Sequence, residues 1–376
     1  MNSIEKKKIL FIIWSYTYGG GSEALLTMIV NHLNPKKYDI SILEYEHSDV
    51  KIEPVNSNIC VLPPIEKIET PDRQKKGYQV YNTPEVLIQQ YVKGNYDLYV
   101  SFNYQIPTFL LPSNTKNIAW IHGDVYDLAN DTAKREWMLQ DKAFDKVKKI
   151  VAITEFTERS LSELFPRHKD KIIKIYNGID LSDVRGKAKQ KAEIILNENS
   201  IISVARLDEN KDPLRLLRIF KRVHQVREEV QLYYIGEGML RKRLQQEIEK
   251  QGLEGCVHLL GYITNPYPVM GQAKVLCLMS KAEGLPLCVM EALALDVPFV
   301  STAVGGCGTL SNEQRCGKLI STDEQAVKAI LELLDMKREQ VKRECRKSIE
   351  RFALETYISR IEDLFDSVMN EEDMEL

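Results

Sequence analysis

The stretch "KAEGLPLCVMEALALDVP", Lys281 to Pro298, sets two carboxylates, Glu283 and Glu291, on either side of a glycine, a proline and small apolar residues. The apolar run "KVLCLMS" before it reads as a buried strand and "KAEG" as its exit loop. Pro286 suits the first turn of a helix that runs to about Leu295, where "DVP" stops it. Glu283 is then expected in the loop over the strand end, and Glu291 one to two turns into the helix. A helix N-terminus offers unpaired N–H groups and the positive end of a dipole, a seat for a diphosphate, and Gly284, Leu285, Pro286 and Leu287 would line it. Carboxylates beside that seat can accept hydrogen bonds from the hydroxyls of a ribose or a hexose. Two acids flanking a phosphate seat suggest a sugar nucleotide. The plain alternative is an acid that offsets the helix dipole at Glu283 and a core or solvated acid at Glu291.

Other chemistry-bearing residues cluster at expected strand ends. In "SVARLDENKDPL", Arg206 follows a strand and Lys211 precedes the next helix, so two cations could stabilise the charge of a departing diphosphate. Taken singly, each is also an ordinary surface cation. "YYIGEGML" places Gly236 and a second glycine around Glu237, and "HLLGYITN" places Gly261 and Tyr262 where backbone and ring can meet a base or simply turn and pack. "TAVGGCGTL" is a further glycine cluster, open to the same two readings. Near the start, "SYTYGGGSEALL" puts Gly19, Gly20 and Gly21 after the first strand with Ser22 opening a helix, so backbone can approach a phosphate or sugar. This is not the dinucleotide fingerprint, and a dehydrogenase is disfavoured. His122, in "AWIHGDVYDL", stands at another strand end.

The elements that must position these residues are short apolar runs separated by helical stretches. In the first half they are "KILFIIW", "YDISILEY", "NICVLP", "YDLYVSF", "NIAWIHG", "KKIVAITE" and "KIIKIYNGID". A second series follows, "SIISVAR", "VQLYYIG", "CVHLLG", "KVLCLMS" and "PFVSTAV". Runs apolar on both faces are parallel strands buried between helical layers. The polar stretch "LSDVRGKAKQKAEIILNENS" between the series reads as a linker, with the boundary near Asp180. The expected architecture is α/β, two Rossmann-like doubly wound domains over residues 1–180 and 181–354, facing a cleft built from the carboxyl ends of their strands.

A length of 376 residues agrees with two domains, and a formal net charge of −3 argues against a nucleic-acid partner. The lysines and apolar run of "MNSIEKKKILFIIW" are too short a stretch to span a bilayer and read as a first strand. Seven scattered cysteines without a CxxC pair indicate neither a disulfide framework nor a zinc site, and suit a reducing cytoplasm. No DxD metal motif is visible, so no metal and no cofactor are expected.

Assembled, these residues resemble glycosyltransferase family 4, retaining enzymes of the GT-B fold. "EGLPLCVME" is similar to the family's EX7E element, which implies that Glu283 contacts the donor sugar and Glu291 the ribose. "VARLDENKD" resembles the diphosphate-binding loop and carries that role onto Arg206 and Lys211. "GGSE" resembles the family's N-terminal glycine loop, "IHG" its histidine near the donor sugar, and "IYNGID" its hinge. The final helix, about residues 355–376, resembles the one that returns to the first domain. Two departures stand out: the loop "GGCGTLSNEQRCGKLI" lacks the usual acidic pattern, and Asp212 stands where glycine is frequent. The resemblance implies transfer of a hexosyl unit from a nucleoside-diphosphate sugar, UDP favoured, to a glycan or lipid-linked acceptor bound by the first domain. Lysines in "KKK" and "DKAFDKVKK" are solvated faces or a peripheral contact with the inner membrane face. A sugar phosphorylase, a sugar-nucleotide epimerase or a non-catalytic partner subunit are the alternatives.

Overall fold

The computed structural model describes residues 5–48, 50, 55–67, 73–123, 125–126 and 133–371. It divides into two compact units, one running to Asn177 and resuming at Glu355, the other Gly178–Leu354. The first contains β1 (Lys7–Ile13), β2 (Tyr38–Glu44), β3 (Glu46–His47), β4 (Ile59–Val61), β5 (Glu66–Lys67), β6 (Leu98–Ser101), β7 (Asn117–Ile121), β8 (Lys149–Ala152) and β9 (Ile172–Lys174). Seven of these form a sheet in the order β4-β2-β1-β6-β7-β8-β9, and β3 pairs with β5 beside it. Every pairing is parallel, which requires helical crossovers and explains why Ile9 to Ile13 are fully buried. The lysines and apolar run near the N-terminus are therefore a central strand.

The second unit contains β10 (Ser200–Val204), β11 (Gln231–Ile235), β12 (Val257–Gly261), β13 (Val275–Leu278), β14 (Phe299–Thr302) and β15 (Gly317–Ile320), all parallel. Their order, β12-β11-β10-β13-β14-β15, reverses direction between β10 and β13. In such doubly wound sheets ligands bind at that reversal, outside the carboxyl ends of the two strands. The loops that leave β10 and β13 carry Arg206, Lys211 and Glu283.

Two sequence expectations need correction. The stretch 181–200 is not plain linker: Leu181–Lys187 is a helix, capped by the Asp180 carboxylate accepting from the Asp183 N–H at 2.8 Å and anchored by buried Val184. Seven residues give too little length for a helical period to register. β15 was not among the expected strands, because it is four residues long and begins on glycine. That glycine is required: a Cβ at Gly317 would lie 2.2 Å from the Phe299 ring of β14.

The helix Leu354–Asn370 completes the first unit. Tyr357, Ile361, Phe365 and Val368 recur at helical spacing and are buried. Phe365 packs 6.1 Å from both the Phe11 and Tyr38 rings, while Lys37 pairs with Asp366 at 2.6 Å and Lys116 donates to the Glu371 carbonyl at 3.0 Å. Truncating the buried ring in Phe365→Ala is expected to destabilise this unit by about 3–5 kcal/mol. The lowering should fall on its own unfolding transition in calorimetry and leave the Gly178–Leu354 transition in place.

Candidate functional site

The loop after β10 is built around an Asn–peptide clamp. The Asn210 side-chain amide donates to the Ala282 carbonyl and accepts from the Ala282 N–H, both at 3.1 Å, while its own carbonyl accepts from the Lys281 N–H at 2.8 Å. An amide side chain matches a peptide's donor and acceptor at once, so this one residue ties the β10 loop to the β13 loop. Sequence reasoning passed over it; an Asn between charged neighbours carries no signal until its partner strand is known. Asp212 holds a left-handed backbone, φ +43°, and caps the helix Pro213–Val226 by accepting from the Arg215 N–H at 3.1 Å. The position favours glycine, and a short polar side chain that bonds locally is the next best occupant.

Within this frame Lys211 Nζ lies 2.5 Å from Glu283 Oε1. The two side chains are 19% and 9% exposed, a largely buried ion pair. Ser280 donates to the same oxygen at 2.6 Å, and Thr302 donates to the Ser280 carbonyl at 2.5 Å, so the carboxylate is fixed from two strands. Sequence reasoning gave Lys211 and Glu283 separate duties, and the fold brings them into contact. Arg206 differs: its side chain is 60% exposed, and among the described residues its ion-pair partner is Asp208 at 3.3 Å. The site thus has one largely buried cation and one exposed cation.

Glu291 sits one turn into the helix Leu287–Ala294. Pro286 is the residue before that helix, with extended backbone, one position earlier than the first-turn place expected of it. The Tyr267 hydroxyl donates to Glu291 Oε1 at 3.0 Å. Part of the Glu291 side chain stays open to solvent, but its apolar surroundings push the carboxyl up to about 7, against the opposing pulls of Tyr267 and Lys187. Burial also raises the neighbouring Cys288 thiol, which makes it a poor nucleophile. Tyr267 is the second residue that sequence reasoning missed.

The glycines have a structural explanation. Gly236 has φ +138°, its N–H donates to the Gly261 carbonyl at 2.8 Å, and a Cβ there would lie 2.0 Å from the Ala205 carbonyl. They therefore let three strand-end loops close on one another beneath Arg206. Gly305, at φ +49°, lies on the backbone of Glu283 and Gly284, and the Gly306 N–H donates to the Gly284 carbonyl at 2.6 Å. Leu285 beside them is buried, anchoring the turn. Tyr262 is 61% exposed, which removes the reading of a buried structural tyrosine.

The first unit holds the other expected residues. Gly20 caps the helix Gly21–His32 without a side-chain bond, and a Cβ on it would sit 2.7 Å from Glu23 Oε2. Glu23 is buried and accepts from the Ser22 hydroxyl at 2.9 Å. His122 follows β7, its ring 4.4 Å from that of Phe102 and its buried Nε2 without a hydrogen-bond partner among the described residues. Burial pulls its pKa down to about 3, so the imidazole is neutral. Sequence reasoning missed Glu44, 2% exposed at the end of β2, which accepts from the Tyr16 N–H at 2.7 Å and the Thr17 hydroxyl at 3.2 Å and bonds His47 Nδ1. An acid and a histidine closing an apolar strand in "ILEYEH" was the available signal. Among the described residues no group of His, Cys, Asp and Glu is arranged to hold a metal ion.

The contact at Gly305 makes a sharp prediction. Gly305→Ala would bring a Cβ to 2.1 Å from the Glu283 carbonyl, so the second unit should lose about 1–3 kcal/mol. Gly255→Ala, where the added carbon meets nothing within 4 Å, is the control and should leave the melting temperature nearly unchanged. Paired thermal denaturation of the two variants checks it.

Comparison with known proteins follows this division of the chain. The family model described as Glycosyltransferase Family 4 matches residues 19–183, and that described as Glycosyl transferases group 1 matches residues 184–351. An uncharacterized glycosyltransferase of Methanocaldococcus jannaschii is 29% identical over 57% of this chain and 54% of its own length. A Campylobacter jejuni protein, N-acetylgalactosamine-N,N'-diacetylbacillosaminyl-diphospho-undecaprenol 4-alpha-N-acetylgalactosaminyltransferase, is 32% identical over 42% of this chain and 44% of its own length. The chain thus spans about half the length of these relatives. Among solved structures, Anabaena Alr3699/HepE in complex with UDP superposes with TM-score 0.71 at 16% identity, covering 96% of this chain and 100% of that one. The sucrose-phosphate synthase of Thermosynechococcus elongatus gives TM-score 0.78 at 16% identity, covering 96% and 99%. At that identity the likeness is one of fold, that of the two-domain GT-B proteins. With the two models meeting between residues 183 and 184, the chain belongs to the family 4, group 1 glycosyltransferases.

Proposed function

We propose that the protein transfers a hexosyl unit from a nucleoside-diphosphate sugar, UDP-linked, to a hydroxyl of a glycan or lipid-linked acceptor in cell-surface polysaccharide synthesis. The observation that carries this reading is the Lys211–Glu283 pair at the β10/β13 reversal, with Glu291 one turn into the adjoining helix. A fixed acid, a fixed cation, an exposed cation and a helix N-terminus within two adjacent loops are what a sugar, its diphosphate and a ribose require. The names of the relatives and the UDP in a solved neighbour support the substrate class. The same support favours transfer over a phosphorylase or an epimerase, and the complete set of four charged residues speaks against a decayed partner subunit.

In the reaction the bond between the anomeric carbon and the diphosphate oxygen breaks, and its electron pair stays with the diphosphate. The acceptor oxygen bonds that carbon on the same face, and the acceptor proton passes to the departing phosphate oxygen. Arg206 and Lys211 oppose the growing charge on the diphosphate. Glu283 accepts from the sugar hydroxyls and Glu291 accepts from the ribose diol. Backbone at Gly236, Gly261 and Tyr262, and from Gly284 to Leu287, completes the donor contacts of the second unit. With Arg206 and Lys211 placed to oppose the diphosphate charge, we expect no requirement for a divalent ion or other cofactor. No described helix is long and apolar enough to cross a membrane; our reading is a cytoplasmic enzyme that meets a lipid-linked acceptor peripherally.

Two measurements test this. Transfer from UDP-sugars to lipid-linked or soluble glycan acceptors should persist in EDTA. In Arg206→Ala it should fall by about a hundredfold or more, on the scale of losing one oxyanion-stabilising donor, with the melting temperature unchanged. Full activity in that variant would remove Arg206 from the site.

The second concerns pH. Glu291 titrates near 7 in the folded protein against an ordinary 4.5, so between those values the folded state binds more protons than the unfolded state and stability falls as pH rises. Glu291→Gln should therefore be more stable than the parent above neutrality, with the advantage fading toward the ordinary carboxyl pKa. UDP affinity should have the opposite trend in the parent, tightening as the carboxylate forms. In Glu291→Gln that pH dependence should be absent from the titration.

A further inference from the structure

We propose that Tyr267 is a positioning residue for nucleotide recognition: its hydroxyl holds the Glu291 carboxylate in the orientation that receives the ribose diol. This rests on the reading of Glu291 as the ribose ligand and adds a residue to it. The phenol donates to Oε1 at 3.0 Å, which fixes the rotation of the carboxylate and leaves Oε2 for another donor.

The segment that presents Tyr267 is itself preset. The Asn265 side-chain amide donates to the Lys187 carbonyl at 3.1 Å and to Gln190 Oε1 at 2.9 Å, while its oxygen accepts from the Tyr267 N–H at 3.3 Å. Pro266 and Pro268 restrict φ on both sides of the tyrosine. Gln272 holds the far end by donating to the Pro268 carbonyl at 2.8 Å. These bonds lock the short helix Tyr267–Met270 against the helix Leu181–Lys187 and deliver one hydroxyl to one oxygen.

Among the described residues, few charged and titratable groups lie around Glu291. Lys187 acts on it through space from the helix Leu181–Lys187, and Arg185 of that helix donates to the Ala294 carbonyl at the far end of Glu291's own helix at 3.0 Å. Cys288 stands on the same helix, and Asp296, beyond its end, is held by Arg346 of the helix Arg338–Ile349 at 3.0 Å. Tyr267 is the group that touches the carboxylate directly, and its bond favours the ionised form. Loss of the hydroxyl should both free the carboxylate to turn and make it harder to ionise.

The test uses the full chain. UDP, GDP and ADP are titrated calorimetrically, and the one bound by the parent is paired with its analogue lacking both ribose hydroxyls. The parent should prefer the ribose form. Tyr267→Phe should lose about five- to tenfold in affinity for the ribose form near neutral pH, a loss of about 1–1.4 kcal/mol. It should bind the dideoxy analogue as the parent does, and the pH at which affinity develops should move upward. In a Glu291→Ala background, where the hydroxyl has no side-chain acceptor at position 291, the Tyr267→Phe change should have no further effect, and this arm also controls for any general loosening of the fold. Equal weakening of both nucleotides, or an unshifted pH profile with the ribose preference intact, would overturn the proposal. A parent that binds both forms equally, or binds no nucleotide, would instead overturn the ribose reading and the Tyr267 inference with it.

Discussion

Two opposite charges that would each be costly to bury alone lie 2.5 Å apart where β10 and β13 run side by side. Much of the second unit can be understood as support for that pair. The parallel sheet brings the two strand ends together although some seventy residues separate them in sequence. Asn210 binds the two loops peptide to side chain, Ser280 and Thr302 hold the acid from beneath, and Gly305 and Gly306 let a third loop close over it. A salt bridge needs such a shell to be worth forming, because its desolvation cost is recovered only when geometry and remaining hydrogen bonds are satisfied.

The second acid is held by a different principle. Glu283 is kept by a cation, Glu291 by a phenol in apolar surroundings. The first is one half of an ion pair, and burial pushes the carboxyl of the second up to about 7. Two carboxylates eight positions apart are in this way chemically unlike. His122 extends the contrast, since burial pulls its pKa down to about 3 and keeps the imidazole neutral.

Strand placement was legible because parallel strands buried on both faces are written as apolar runs, and the residues that end those runs stand where open sheets bind ligands. That reasoning singles out Arg206, Lys211, Glu283 and Glu291 as candidates, and the fold places Lys211 and Glu283 in contact. What sequence could not supply was adjacency. The neighbourhood of β10 and β13 is a property of strand order, so neither the Lys211–Glu283 contact nor the Asn210 clamp can be read from spacing. Tyr267 was hidden for the same reason, twenty-four positions from its carboxylate. Glycines were legible as special but not for their purpose: at Gly236 and Gly305 left-handed or close-packed backbone excludes a Cβ, a need set by a neighbour's carbonyl. The seven-residue helix after Asp180 and four-residue β15 fall below the length at which periodicity speaks.

The return of the chain to its starting unit has a consequence for how the molecule comes into being. Residues Gly178–Leu354 are in effect an insertion between the two parts of the first unit. On a ribosome that insertion has all its strands available before the last helix is made, whereas the first unit waits for Phe365 to cover Phe11 and Tyr38. At about 5–20 residues per second that wait lasts on the order of ten seconds or more. Throughout it an aromatic surface of the earlier-made half stays uncovered, so the later-made half is the one placed to fold first, and the nascent first half is where a chaperone would find a hold.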